Sequence, residues 1–474
     1  MDERRFFRPA HALAEDIRVG RLGAEELTRF YLERIRRYDG EKGLNTVIEL
    51  HPHVLQQARE LDRHSPFGLL YGLPVLIKDN IDVRGLHTAA GSLALAGRVA
   101  REDAPVIAAL RRQGAVILGK TNMTEFANYM APGMPGGYSS RDGQVKSAYG
   151  GGRDPGGSSS GSAVALSAGF CAAAVGTDTS FSVVACAVQN GITGLKPPVG
   201  ALSGKGILPI AHTLDSAGAL TRDFQDALLL YAGMGGRLPE GLSAAPAEKL
   251  RLAVNEHNLQ LVSPEQLQGY QALCERLREA GASFSRICQP ASSLGREIMR
   301  YEFRQDLEQD LAGGGGPQSL AEIIGFYQAH PQWMPYGIGF LQAALDVSSG
   351  RPEEVDYLNI LSERERLRAE VIRMLSRYDA CIMTGPTNVM HVAGLPSLAL
   401  RLGLAQDQTP QGIILYGADE RRLYAAALTI ERFCGGDAAF PQLEPVCSAA
   451  RTQEPEEPEK KGRTGGQPWL SSER

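Results

Sequence analysis

The run from 131 to 162, APGMPGGYSSRDGQVKSAYGGGRDPGGSSSGS, constrains the fold of this chain more than any other segment. Ten glycines fall between Gly133 and Gly161, with almost no apolar periodicity to form an amphipathic helix or a half-buried strand. Glycine makes up 54 of 474 residues, about 11% against a usual value of about 7%, and its clustering here points to a built loop. An unpatterned loop this long inside a compact chain is functional or disordered. Directly after it, GSAVALSAGFCAAAVGTDT reads as a helix of small residues running into a strand, and VVACAVQNGITGLKP as a second tightly packed segment. Small side chains on both allow close backbone approach.

Elsewhere helix and strand alternate. AEELTRFYLERIRRY sets Leu27, Phe30, Tyr31 and Ile35 at helical spacing, GLPVLIKDNIDV is a short buried strand, APVIAALRRQG is a helix ended by Gly114, and AVILGKT is another strand. The pattern resumes beyond Thr221, and a helical stretch covers about 293 to 377, with Leu367, Val371, Met374 and Leu375 on one stripe. This alternation implies an α/β fold: one large domain with a central mixed β-sheet covered by helices on both faces. The expected domain spans 1–447. From 448 to 474 the sequence is rich in Pro, Gly and charge and is expected to be a disordered, dispensable tail. The helices of 293–377 are expected to lie over the active-site side as a lid.

Charge and cysteine usage exclude whole classes of function. A net charge of -5, spread evenly, leaves no basic stripe for phosphates, so nucleic acid is not an expected partner. The seven cysteines are odd in number, lack CxxC or Cys/His ligand spacing and sit mostly among apolar neighbours, as in a reduced cytoplasmic protein without a structural metal. The N-terminus has no apolar signal region, and the longest apolar stretches are soon broken by Asp, Lys or Gly, so no membrane association is expected.

The chemistry-bearing residues concentrate around the glycine-rich loop. Residues 156–162 pack four hydroxyls and three glycines into seven positions. Taken alone that is ordinary, because serines cap helix starts and glycine tolerates unusual dihedrals. It does not stand alone. GTDTSFS places Ser182 in a turn between strand and helix, where successive amides can converge on an anion. Lys78 ends the apolar strand PVLI, an odd place for a charge unless it is solvated or used. Gly157-Ser158-Ser159-Ser160-Gly161 also satisfies G-x-S-x-G, which would make Ser159 the nucleophile of a hydrolase elbow, but that motif needs an apolar strand before it and SAYGGGRDP is not one.

Four motifs in order, GLPVLIKDNIDV, AVILGKTNMTEFA, PGGSSSGSAVALSAGFCAAAVGTDT and NGITGLKPPVGALSGKGILPIAHTLDSAGALTRDFQDA, resemble the amidase signature family, most of all its peptide-amidase subgroup. The resemblance is strong over about 9–235, with a signature core at about 60–235. It implies hydrolysis of the C–N bond of a linear carboxamide through an acyl-enzyme, with a small-molecule or peptide amide as substrate, no cofactor and no metal; a homodimer stays open. Carried over residue by residue, it makes Ser182 the nucleophile, Ser158 the bridging serine that the family holds with a cis peptide, and Lys78 the base. The backbone amides of Thr179, Ser180 and Phe181 would form the oxyanion hole. Tyr129 and Met130, with the glycine-rich loop, are expected to wall the acyl pocket. The lysine can act as a base only if burial pulls it well below its ordinary value of about 10.4.

This chain departs from the family at four positions, in three places. Ser180-Phe181 stands where most members carry Gly-Gly, Cys186 where a proline is usual, and Val184 where many carry an arginine that holds a substrate carboxylate. The first two motivate an alternative reading as a catalytically silent amidase-like protein. Another is the glutaminase-type subunit of a tRNA-dependent amidotransferase, against which Val184 argues.

Overall fold

A computed structural model describes residues 3–150, 152–255, 264–289, 292–385, 387–435, 441–443 and 445–446. The charged tail expected from 448 lies outside the described residues. Thirteen strands occur among them: β1 (Val47–Leu50), β2 (Pro74–Lys78), β3 (Val116–Thr121), β4 (Tyr138–Ser139), β5 (Gly143–Gln144), β6 (Ala173–Asp178), β7 (Thr193–Lys196), β8 (Ser216–Thr221), β9 (Arg251–Asn255), β10 (Ser283–Ile287), β11 (Ala380–Met383), β12 (Ser397–Leu404) and β13 (Pro410–Tyr416). Eleven of these form one mixed sheet in the order β1-β3-β2-β6-β8-β7-β12-β13-β11-β9-β10, flanked by helices in a single large α/β domain. The glycine-rich loop carries the short antiparallel pair β4–β5 and is otherwise irregular but tied down. Asn45 Nδ2 donates to Asp142 O at 2.6 Å, and Asn190 Nδ2 donates to Pro155 O at 2.8 Å.

The centre of the sheet positions the site. Strands β3, β2 and β6 run parallel and every residue in them is buried, as unbroken apolar runs between two layers must be. Being parallel, they deliver Thr121, Lys78 and Asp178 to the same edge, the carboxyl edge where open α/β sheets build their sites. The helix Ser160–Ser167 is buried on all sides, which explains its small residues and lack of a polar face. Close packing also requires glycine at 218: a Cβ there would lie 2.8 Å from Leu195 O and 2.9 Å from Val183 Cγ2.

The stretch 293–377 resolves into four α-helices, Leu294–Leu311, Leu320–Ala329, Gly339–Val347 and Val355–Leu375, with a short 3-10 helix at Pro331–Trp333. Of the expected stripe, Val371 and Leu375 are buried while Leu367 and Met374 are half-buried. The first three helices form a second apolar core with the loops after β2 and β3 and with 208–214, so they cover the carboxyl edge of the sheet as expected of a lid. No helix among the described residues is long and apolar enough to cross a membrane.

Candidate active site

Three side chains from separate motifs meet at the carboxyl edge. Lys78 Nζ lies 2.8 Å from Ser158 Oγ, and Ser158 Oγ lies 3.1 Å from Ser182 Oγ. Lys78 and Ser158 are fully buried and Ser182 is 5% exposed. Each is held by its own element: Lys78 by the end of β2, Ser158 by the cis Gly157-Ser158 peptide just before the helix Ser160–Ser167, and Ser182 by the turn between β6 and the helix Val184–Gln189. Lys78 Nζ also donates to Thr177 Oγ1 at 2.7 Å and to Thr177 O at 3.3 Å. Two acceptors on one side and a serine on the other suit a neutral amine, which donates twice and keeps a lone pair for Ser158.

Burial is what makes the neutral form accessible. It pulls Lys78 down to about 7, and Cys186, Asp178 and Asp215 only partly restore it. Of those neighbours Cys186 is uncharged near neutrality, because burial pushes its thiol up to about 12, while burial raises Asp215 to about 7 against the Thr179 hydroxyl and the amides of Ile210 and Ala211, so that it is partly ionised there. Asp178 is different. Burial would raise it, but His391, Lys196 and the Val183 amide outweigh that and hold it near 2.

Asp178 organises the turn that presents Ser182. Its carboxylate accepts from the N–H of Phe181 at 2.9 Å, of Val183 at 2.7 Å and of Val184 at 3.3 Å. This bears on the oxyanion donors expected from the sequence. The Phe181 N–H is directed at Asp178 Oδ1 and His391 Nε2 instead of into the site, whereas no hydrogen bond of Ser180 N–H or Ser182 N–H occurs among the described residues. Phe181 also takes φ 77°, the left-handed region. For a residue with a Cβ this costs on the order of 1–2 kcal/mol, which the carboxylate contact and ring packing must offset.

Tyr129 and Met130 lie elsewhere than expected. Both are buried in the second core, where the Tyr129 ring packs 4.8 Å from Phe303 and 5.3 Å from Phe340, and Met130 O accepts from Phe340 N at 3.1 Å. They fasten the lid and present no open face. The glycine-rich loop likewise borders a groove of about 1130 Å3, lined by Lys42, Lys146, Tyr149 and Arg153, that contains none of the three meeting residues. Ser159, the elbow candidate, follows irregular chain in place of a strand, and its Oγ donates to Thr177 O at 3.1 Å, tying the loop to β6.

Sequence reasoning missed Thr177, Asp178 and His391. The first two sit inside the quoted GTDTS, where an acid beside a serine turn was a usable signal. His391 lies 210 positions beyond Phe181 and carried none. Two His–carboxylate groups, His11 with Asp223 and Asp226 and His212 with Glu302 and Asp306, have metal-compatible spacing but share no residue with this array.

The family model described as Amidase matches residues 26–390. The chain belongs to the amidase family. It is 30% identical over 468 residues to a probable amidase of Arabidopsis thaliana, covering 89% of this chain and 90% of the relative. It is 35% identical over 452 residues to a glutamyl-tRNA(Gln) amidotransferase subunit of Symbiobacterium thermophilum, covering 84% and 91%. The crystal structure of the peptide amidase from Stenotrophomonas maltophilia matches with a TM-score of 0.83 at 30% identity, covering 92% of this chain and 98% of that one. As a member of this family the protein is an amidohydrolase acting on C–N bonds.

Proposed function

We propose that this amidase hydrolyses uncharged linear carboxamides, such as the C-terminal carboxamide of a peptide or a small aliphatic or aryl amide, with release of ammonia or an amine. The observation that carries the reading is the buried chain of contacts from Lys78 Nζ through Ser158 Oγ to Ser182 Oγ, at 2.8 and 3.1 Å. Ser182 Oγ attacks the amide carbonyl while its proton passes through Ser158 to neutral Lys78. The N–H groups of Thr179, Ser180 and Ser182 are the donors left for the oxyanion, since Phe181 N–H serves Asp178. The proton then returns to the leaving nitrogen, and water activated by the same base hydrolyses the acyl-enzyme. Val184, with no charge to offer a substrate carboxylate, supports the choice of uncharged amides.

A panel of primary amides assayed for ammonia tests this reading. Turnover of a peptide carboxamide or small amide, abolished by Ser182→Ala, is the expected result. The relatives that are amidotransferase subunits favour one second reading, a glutaminase that works with partner subunits. Hydrolysis of glutamine alone, and only in the assembled complex with such partners, would establish it and overturn the first.

A further inference from the structure

We propose that His391 is a positioning residue for the turn that presents Ser182, acting through Asp178 and through the ring of Phe181. The inference rests on the reading of Ser182 as nucleophile and extends it to a residue that touches no reacting atom. His391 sits in the short helix Val389–Val392, 1% exposed, and reaches the turn from the far end of the chain. Its Nε2 lies 3.0 Å from Asp178 Oδ1 and 3.1 Å from Phe181 N, and its ring packs 4.4 Å from the Phe181 ring at 65°.

Three groups meet at Nε2. The Phe181 N–H is directed both at Asp178 Oδ1, at 2.9 Å, and at His391 Nε2, at 3.1 Å, while Nε2 itself lies 3.0 Å from Oδ1. In either tautomer Nε2 is tied to the turn: as an acceptor it shares the Phe181 N–H with the carboxylate, and as a donor it serves the carboxylate on which that amide ends. Nδ1 is the buried atom of this ring left without a partner.

The consequence falls on both sides of Ser182. Phe181 and Val183 flank the serine, and both amides end on the carboxylate that His391 shares. Phe181 also keeps φ 77°, a conformation that glycine adopts freely and phenylalanine only when its surroundings hold it. His391 supplies that support twice, once through the carboxylate and once against the ring. A buried histidine that merely fills space would do neither.

The test uses the full chain with His391→Ala, His391→Gln and His391→Phe, the last two keeping bulk in case the alanine variant fails to fold. Glutamine places a polar amide group, with both a donor and an acceptor, close to the Nε2 position, whereas phenylalanine keeps the ring and loses the polar atom. We expect His391→Ala and His391→Phe to lower kcat by about 10-fold to 100-fold with KM held within about 2-fold, the loss that a displaced reacting group brings. His391→Gln should recover most of the loss. In a Phe181→Gly background the cost of His391→Ala should shrink by at least about 5-fold, because glycine keeps the left-handed turn unaided. Amide hydrogen exchange at 181–184 should quicken in the alanine and phenylalanine variants, with the rest of the sheet unchanged. Wild-type exchange in that segment, or equal and additive losses in both backgrounds, would overturn the proposal. If the wild-type chain hydrolyses no amide and Ser182 takes no fluorophosphonate label, the nucleophile reading falls. The exchange measurement then still decides whether His391 positions the turn.

Discussion

Lys78 ends a fully buried strand with no carboxylate in ion-pair contact among the described residues, and its neighbours are two hydroxyls and a carbonyl. Burial therefore dominates and brings the amine to about 7, so protonated and neutral forms exchange near neutrality. Only the neutral form can accept a proton from Ser158. On the proposed mechanism kcat/KM is low below pH 7, rises as pH passes about 7 and levels off above it; a rate that falls over this interval would contradict a lysine base. Lys78→Ala should cost more than the roughly 10²-fold to 10⁴-fold of a single acid–base group, because both serines lose their acceptor together, and single-turnover kinetics would measure it. The three meeting residues were singled out through the resemblance of their motifs to the amidase signature family, because local composition alone left the serine segment an ordinary helix start. His391 was not, since its role depends on a fold that brings it 210 positions back to Phe181. Nor could spacing alone show that the Phe181 N–H points to Asp178.

At the scale of elements, small residues decide how closely the site can be assembled. Gly176 in β6 pairs with Gly218 in β8, and a Cβ on Gly218 would meet a backbone oxygen of β7 and the side chain of Val183, next to Ser182. Backbone cannot yield as a flexible side chain can. Gly218→Ala should therefore cost about 1–3 kcal/mol in chemical denaturation and also slow turnover, because Val183 must shift. A variant with native stability and rate would show that the β6–β8 packing has slack. Most of these elements were readable from period and composition, including the small-residue helix before β6. The β4–β5 pair was not, because strands of two residues carry no period to detect.

At the scale of the whole molecule two apolar cores occur among the described residues, and within the second a polar clasp ties a helix of the lid to the loops after β2 and β3. Tyr327, from a lid helix, places its hydroxyl among Glu125, Ser92 at 2.5 Å and Ser140 at 3.1 Å, and all but Ser140 are fully buried. Burial raises Glu125 to about 7 against the pull of these hydroxyls, so losing the tyrosine oxygen leaves a buried carboxyl short of a donor. Tyr327→Phe should destabilise the protein by about 1–3 kcal/mol in thermal unfolding; an unchanged Tm would mean the lid is held by apolar contact alone. The alternating pattern foretold one α/β domain and a helical cover, but the order of eleven strands comes from long-range pairing that no local pattern encodes. The central claim is that this fold delivers Ser182 as an activated nucleophile, and site-mapped labelling with a fluorophosphonate tests it most directly. The account expects a single adduct on Ser182, forming faster as pH rises through about 7 and absent in Ser182→Ala. An adduct on Ser159, or none at any pH, would contradict it.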